Sequence, residues 1–128
     1  MASKNLWADL SQLEIVRTPR TVLLEQAQYL TQAAKGILEG RVDDESIDVA
    51  AAGFRYDLNV RVPALNNFLV TVLWIEHGLE LYPVRLMARR PVRDVSCANE
   101  AEFEKAIESI LTSPEVKTVL SRLLSQVK

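Results

Sequence analysis

The segment that most constrains this chain is Phe54 to Val62. There Phe54, Tyr56, Leu58, Val60 and Val62 alternate strictly with Arg55, Asp57, Asn59 and Arg61. A period of two belongs to a β-strand with one face on a core and the other turned away from it. Such a strand needs neighbours, because one or two strands alone are at best marginally stable in water. The sequence supplies them. Phe68 to Ile75 is apolar at nearly every position, as expected of a central strand covered at least partly on both sides. Its alternation predicts Phe68, Val70, Val72 and Trp74 on one face and Leu69, Thr71, Leu73 and Ile75 on the other. Leu79 to Ala88 reads as a third strand, with Tyr82, Val84, Leu86 and Ala88 opposite Leu81, Pro83, Arg85 and Met87. Pro63 with Asn66-Asn67, and His77-Gly78, supply the turns, while Pro83 marks an edge strand or a bulge. Val92 to Cys97 offers a short fourth strand.

Helices are expected on either side of this meander. Thr18 before Pro19 places a capping hydroxyl ahead of a proline at the first helical position, where its missing N–H costs nothing. Leu23, Ala27, Leu30, Ala34 and Ile37 then recur at helical spacing, with Gly40 as the stop, so a helix is predicted over 19–39. That spacing lasts only two to three heptads, too short for a sustained coiled-coil seam. Asn99 followed by Glu102 resembles a capping box and opens a helix over 100–112. Ser113-Pro114 repeats the capped proline start for a helix over 114–127. Ser3 is expected to cap a short N-terminal helix carrying Leu6, Leu10 and Leu13 beside Trp7. Arg41 to Asp48 reads as a polar connection, and Ile47, Val49 and the alanines at 50–52 as a short strand or bend. The predicted fold is α+β: an antiparallel three- to four-stranded meander sheet over about 54–88, reaching 97 if the last strand joins. It is flanked by the long N-terminal helix and the two C-terminal helices. At 128 residues, with no linker or repeat, one domain over 1–128 is expected.

Little in the chain suggests catalysis. His77 is the only histidine and Cys97 the only cysteine, so neither a histidine-rich nor a cysteine-cluster metal site can be assembled. The acidic group Asp43, Asp44, Glu45 and Asp48 lacks the glycine and closing acid of a calcium loop. No serine sits in a nucleophile-elbow pattern, although Ser96, His77 and Asp94 supply the residue types of a triad. Glycines at 36, 40, 53 and 78 are too scattered to cradle a phosphate. No metal, no cofactor and no catalytic residue is therefore expected, and Cys97 reads as a small buried side chain. The lone cysteine implies no disulfide framework. The longest apolar stretch, Phe68 to Ile75, falls well short of the ~20 residues that span a membrane, and Met1 to Leu10 has no apolar signal-peptide core. A cytoplasmic protein without a membrane role is expected.

Two surfaces stand out. One is the predicted second sheet face, where Leu69, Leu73 and Ile75, with Leu81 and Met87, form an apolar patch suited to a second copy of the chain or to another protein. The expected function is accordingly that of a small non-enzymatic protein-interaction module, a homodimer or a binder of another protein. The alternative rests on charge. Between Phe54 and Arg93 six arginines face three carboxylates, in a chain whose net charge is −2. Arg85, Arg89, Arg90 and Arg93 would then form an anion-binding stripe for nucleic acid or a phosphoanion. Nucleic acid is the less favoured partner, since such binders are usually basic overall and carry aromatic platforms. In size, mild acidity and its sheet flanked by helices, the chain is similar to small bacterial secretion chaperones and immunity proteins. The likeness is one of shape only, because those chaperones interrupt their sheet with a helix that is not expected between Phe54 and Ala88.

Overall fold

The computed structural model describes residues 3–46 and 53–128. Three α-helices and a five-stranded antiparallel sheet make an α+β fold. The elements run α1 (Pro19–Ala33), β1 (Glu39–Asp44), β2 (Phe54–Val62), β3 (Phe68–His77), β4 (Val84–Arg89), β5 (Val92–Cys97), α2 (Glu100–Leu111) and α3 (Pro114–Val127). The strands pair in chain order from β1 to β5, and the helices bracket the sheet in sequence as expected.

The helix starts follow the capping chemistry. Thr18 Oγ1 accepts from the Thr21 N–H at 3.1 Å, Asn99 Oδ1 from the Glu102 N–H at 2.9 Å, and Ser113 Oγ from the Val116 N–H at 3.3 Å. Each hydroxyl or amide satisfies a donor that the first helical turn leaves free. The end of α1 departs from expectation. The helix stops at Ala33, six residues short of 39, because Lys35 and Gly36 take positive φ values of 52° and 81°. Gly36 donates its N–H to the Thr31 carbonyl at 3.0 Å, closing the turn. Gly36 is thus the glycine that ends the helix. Gly40 instead lies within β1, which replaces the predicted polar connection at its start. It pairs with Val60 and donates its N–H to the Thr31 hydroxyl at 2.9 Å. The expected strand or bend over 47–52, with Asp48, lies outside the described residues.

Two further departures concern strand ends. The third predicted strand starts at Val84, five residues later than expected, and Pro83 belongs to the β3–β4 loop. The proline therefore interrupts no ladder. At the N-terminus only Leu10–Gln12 winds into a short 3-10 turn, in place of the predicted helix. None of its residues is buried, and a helix that short has no stability without packing.

All three helices cover one face of the sheet. Val22, Leu23 and Ala27 from α1, and Phe103, Ile107 and Ile110 from α2, pack on Tyr56, Leu58, Leu73, Ile75, Val84 and Leu86. A smaller cluster at the far end joins Leu38, Val60 and Val62 to Leu123 of α3. The phase of β3 changes midway. Leu58 and Asn59 are consecutive in β2, yet they face Leu73 and Thr71 in β3. Val72 is therefore an extra residue, a β-bulge. Before it the residues beside Val60 and Val62 are Val70 and Phe68; after it the inward positions are Leu73 and Ile75. Leu69, Thr71 and Trp74 consequently share the other face, which no helix covers among the described residues.

Candidate interaction surface

The bulge also shapes the sheet's middle. β3 pairs with β4 at only three positions, Trp74–Met87, Ile75–Leu86 and Glu76–Arg85. From Phe68 to Leu73 that edge of β3 has no ladder partner among the described residues, although β4 runs on to Arg89. Bulges bend and twist the strand that carries them, and here the two strands diverge. Beside this open edge, between β3 and α3, lies a groove of about 570 Å³, with Phe68 and Val70 on one wall, Val119 and Leu123 of α3 on the other, and Arg90 and Arg122 at its rim. A second depression of about 380 Å³ shares Val70, Arg90 and Val119 and carries the groove over the sheet edge to Leu69, Thr71, Trp74 and Arg89.

Trp74 is the centre of the uncovered face. The guanidinium of Arg55 lies 5.5 Å from its ring centre and that of Arg89 lies 5.8 Å away, both within cation–π range. Met87 is directly across from Trp74 on β4. Toward β1 the face becomes a polar lattice. Arg55 Nε donates to Asp57 at 3.1 Å, the Thr71 hydroxyl donates to Asn59 Oδ1 at 2.7 Å, and Asn59 Nδ2 donates to Asp43. An aromatic and apolar centre beside a polar rim is the usual anatomy of a protein interface.

The five residues predicted as an apolar interface do not share a surface. Leu69 and Met87 lie on the uncovered face, flanking Trp74. Leu73 and Ile75 are fully buried beneath the helices, because the bulge at Val72 inverts the alternation between Leu69 and Leu73. Leu81 is half-buried in the β3–β4 loop at φ 69°. Trp74, assigned by simple alternation to the opposite face, is the residue sequence reasoning missed. No residue type around Val72 announces the bulge.

The predicted arginine stripe is divided as well. Arg85 is held by Asp94 through a bidentate pair at 2.9 and 2.8 Å, which raises the guanidinium pKa and holds the Asp94 carboxyl below its ordinary value. Arg89 leans on Trp74. Arg90 occupies the β4–β5 turn, and Arg93 is opposite the core residue Ala88, on the helix-covered side of the sheet edge. Only Arg89 and Arg90 belong to the groove.

The catalytic alternatives find no constellation. His77 is buried against Phe54 and Tyr56, with ring centres 5.3 and 6.0 Å away. Its Nδ1 lies 2.8 Å from the Gly78 carbonyl, which assigns Nδ1 the donor role. Ser96 and Asp94 lie on the other face, with Asp94 engaged by Arg85. Among the described residues no three acidic, histidine or cysteine side chains are placed to hold a metal ion. Asp43 instead bonds Arg41 and Asn59. Cys97 is buried, and burial pushes its thiol pKa up.

One more feature lies before α1. Arg17 is fixed by carboxylates from two helices: Glu25 of α1, and Glu100 and Glu104 of α2 at 3.0 and 2.7 Å. Upstream of this anchor the chain exposes a run of large apolar side chains, among them Leu6 at 87%, Trp7 at 78% and Ile15 at 93%. Comparison with family models, with curated proteins and with solved structures yields no match. No helix among the described residues is long and apolar enough to cross a membrane.

Proposed function

We propose that this chain is a small cytoplasmic protein-interaction module that associates with itself and performs no catalysis. The observation that carries the reading is the pairing of an exposed apolar N-terminal arm with an uncovered sheet face and groove. Monomeric proteins rarely leave contiguous apolar surface of that kind without use. The interface is centred on Trp74, with Leu69 and Met87, in place of the buried Leu73 and Ile75. Aromatic, methionine and arginine side chains are the types enriched where proteins meet.

Light scattering of the purified chain over a wide concentration range tests this reading. A concentration-dependent dimer mass, lost on replacing Trp74 with Glu while circular dichroism is unchanged, is the expected result. A chain that stays monomeric throughout the range would overturn it.

The phosphoanion reading has less support. Arg85 is neutralised by Asp94, and Arg93 is on the other side of the sheet from Arg89. What remains, Arg89 and Arg90 near the half-buried Trp74, is a small cationic patch. Titration of labelled single-stranded nucleic acid at two salt concentrations addresses it: salt-sensitive binding lost in R89A/R90A would favour this reading.

A further inference from the structure

The arm and the groove are two unpaired features of one chain, and their chemistry matches. We infer that the arm before Arg17 adds as a strand to the open edge of β3 in a second copy, seated in the groove between β3 and α3, with the two copies exchanging arms. This rests on the self-association proposed above and specifies its geometry.

The groove asks for an extended segment. The β3 edge from Phe68 to Leu73 offers backbone donors and acceptors with no ladder partner, and an added strand supplies the complement. Its α3 side is apolar, built by Val119 and Leu123. Its rim carries Arg89, Arg90 and Arg122 against two carboxylates, Glu115 and Asp57, the latter already engaged by Arg55. An occupant should therefore alternate apolar and polar positions and bring a negative charge to the outer side.

The arm has that pattern. Leu6, Ala8 and Leu10 alternate with Trp7 and Asp9. As a strand it turns the first three to one side and the last two to the other. With Leu6, Ala8 and Leu10 against the α3 side, Trp7 and Asp9 emerge toward Trp74 and Arg89. Of the arm's acidic residues, Asp9 and Glu14, neither pairs with a cation among the described residues. The 3-10 turn at Leu10–Gln12 that would open on docking buries nothing.

The anchor leaves the arm long enough to reach a neighbour. Arg17 is clamped between α1 and α2, whereas the groove runs along β3 and α3. Residues 3–16 span up to about 45 Å when extended, at roughly 3.3 Å per residue, a reach sufficient to cross to a neighbour. Reciprocal exchange gives each copy one arm to donate and one groove to fill, so the assembly closes at two.

A charge exchange in the full-length chain tests this. One variant carries Asp9→Arg, the other Arg89→Glu with Arg90→Glu; these side chains are exposed, and circular dichroism checks the fold. Alone, each places like charges together and should dimerise roughly tenfold more weakly or worse. Mixed in equal amounts they should recover a dimer, seen by native mass spectrometry as one copy of each, because every arm then meets a groove of opposite charge. Should the groove variant misfold, Arg122→Glu takes its place. Leu6→Asp with Leu10→Asp should likewise dissociate the dimer. A mixture no tighter than its components overturns the exchange, as would variants that dimerise like the parent. In both cases a dimeric parent leaves the interaction-module reading standing, while a monomeric parent ends both.

Discussion

A Cβ placed on Gly40 would fall 2.3 Å from the carbonyl oxygen of Ala27, so β1 and α1 meet backbone to backbone at this pair. The contact lets α1 lie close on the sheet edge, and Thr31 ties the two together through its bond to the Gly40 N–H. No side-chain rotation can relieve the clash. Gly40→Ala should therefore destabilise the fold by roughly 1–3 kcal/mol, at the upper end of what overpacking costs. The shift in the urea midpoint measures it; an unchanged midpoint would mean that the helix moves aside freely.

Leu69 and Leu73, four residues apart on one strand, should behave as opposites. Leu73 is fully buried, and Leu73→Ala is expected to cost about 2–5 kcal/mol through lost transfer energy and the cavity left behind. Leu69 is exposed on the uncovered face, so Leu69→Ala should stay within about 0.5 kcal/mol for the isolated chain. Equal losses at both positions would contradict the bulge at Val72.

That pair also shows how far the sequence could be read. The alternation from Phe54 to Val62 placed β2 and its inward face correctly, since no extra residue interrupts that strand. The caps at Thr18, Asn99 and Ser113 were legible because each depends on residues adjacent in the chain. β3 was not, because a strand apolar on both faces carries no phase marker, and one inserted residue exchanges its sides unannounced. This single shift moved Leu73 and Ile75 out of the expected interface and brought Trp74 into it. The end of α1 was misread for a related reason: Gly36 and Gly40 both punctuate the pattern, and only packing against Ala27 distinguishes the strand residue from the helix stop. β1 was missed because charged residues at Arg41, Asp43 and Asp44 mask an edge strand whose outward face bonds to β2.

Cys97 should be inert in the folded protein. It is buried beside the α2 core, and its thiol is pushed above the ordinary range by burial. Thiolate is the reacting form, so modification by an aromatic disulfide reagent should be slow in the native state and fast in denaturant. Rapid stoichiometric reaction of the native chain would contradict the packing around β5.

The Arg85–Asp94 pair sets a pH dependence whose sign follows from the carboxyl. Arg85 holds the folded-state pKa of Asp94 below its unfolded value. The stability contributed is thus fully present above the unfolded value and is lost as pH falls through the folded one. Arg85→Gln should therefore lower stability at neutral pH, modestly for an exposed pair, and leave it unchanged in strong acid. In carbon-detected NMR the Asp94 titration midpoint should rise toward that of a free aspartate in the same variant. A midpoint that does not move would remove the pair as its cause.

The extra residue at Val72 gives β3 two independent histories in one strand. Its C-terminal half answers to the helices through Leu73 and Ile75, while its N-terminal half meets the groove through Phe68 and Val70. Removing Val72 alone would make the alternation regular while leaving Phe68 and Val70 inward, beside Val62 and Val60, and Leu69 and Thr71 outward, and should let β3 zip further along β4. The groove would then close as the sheet became regular. In this molecule the groove is the space beside a sheet that stops pairing short of completion, next to the one extra backbone unit at Val72.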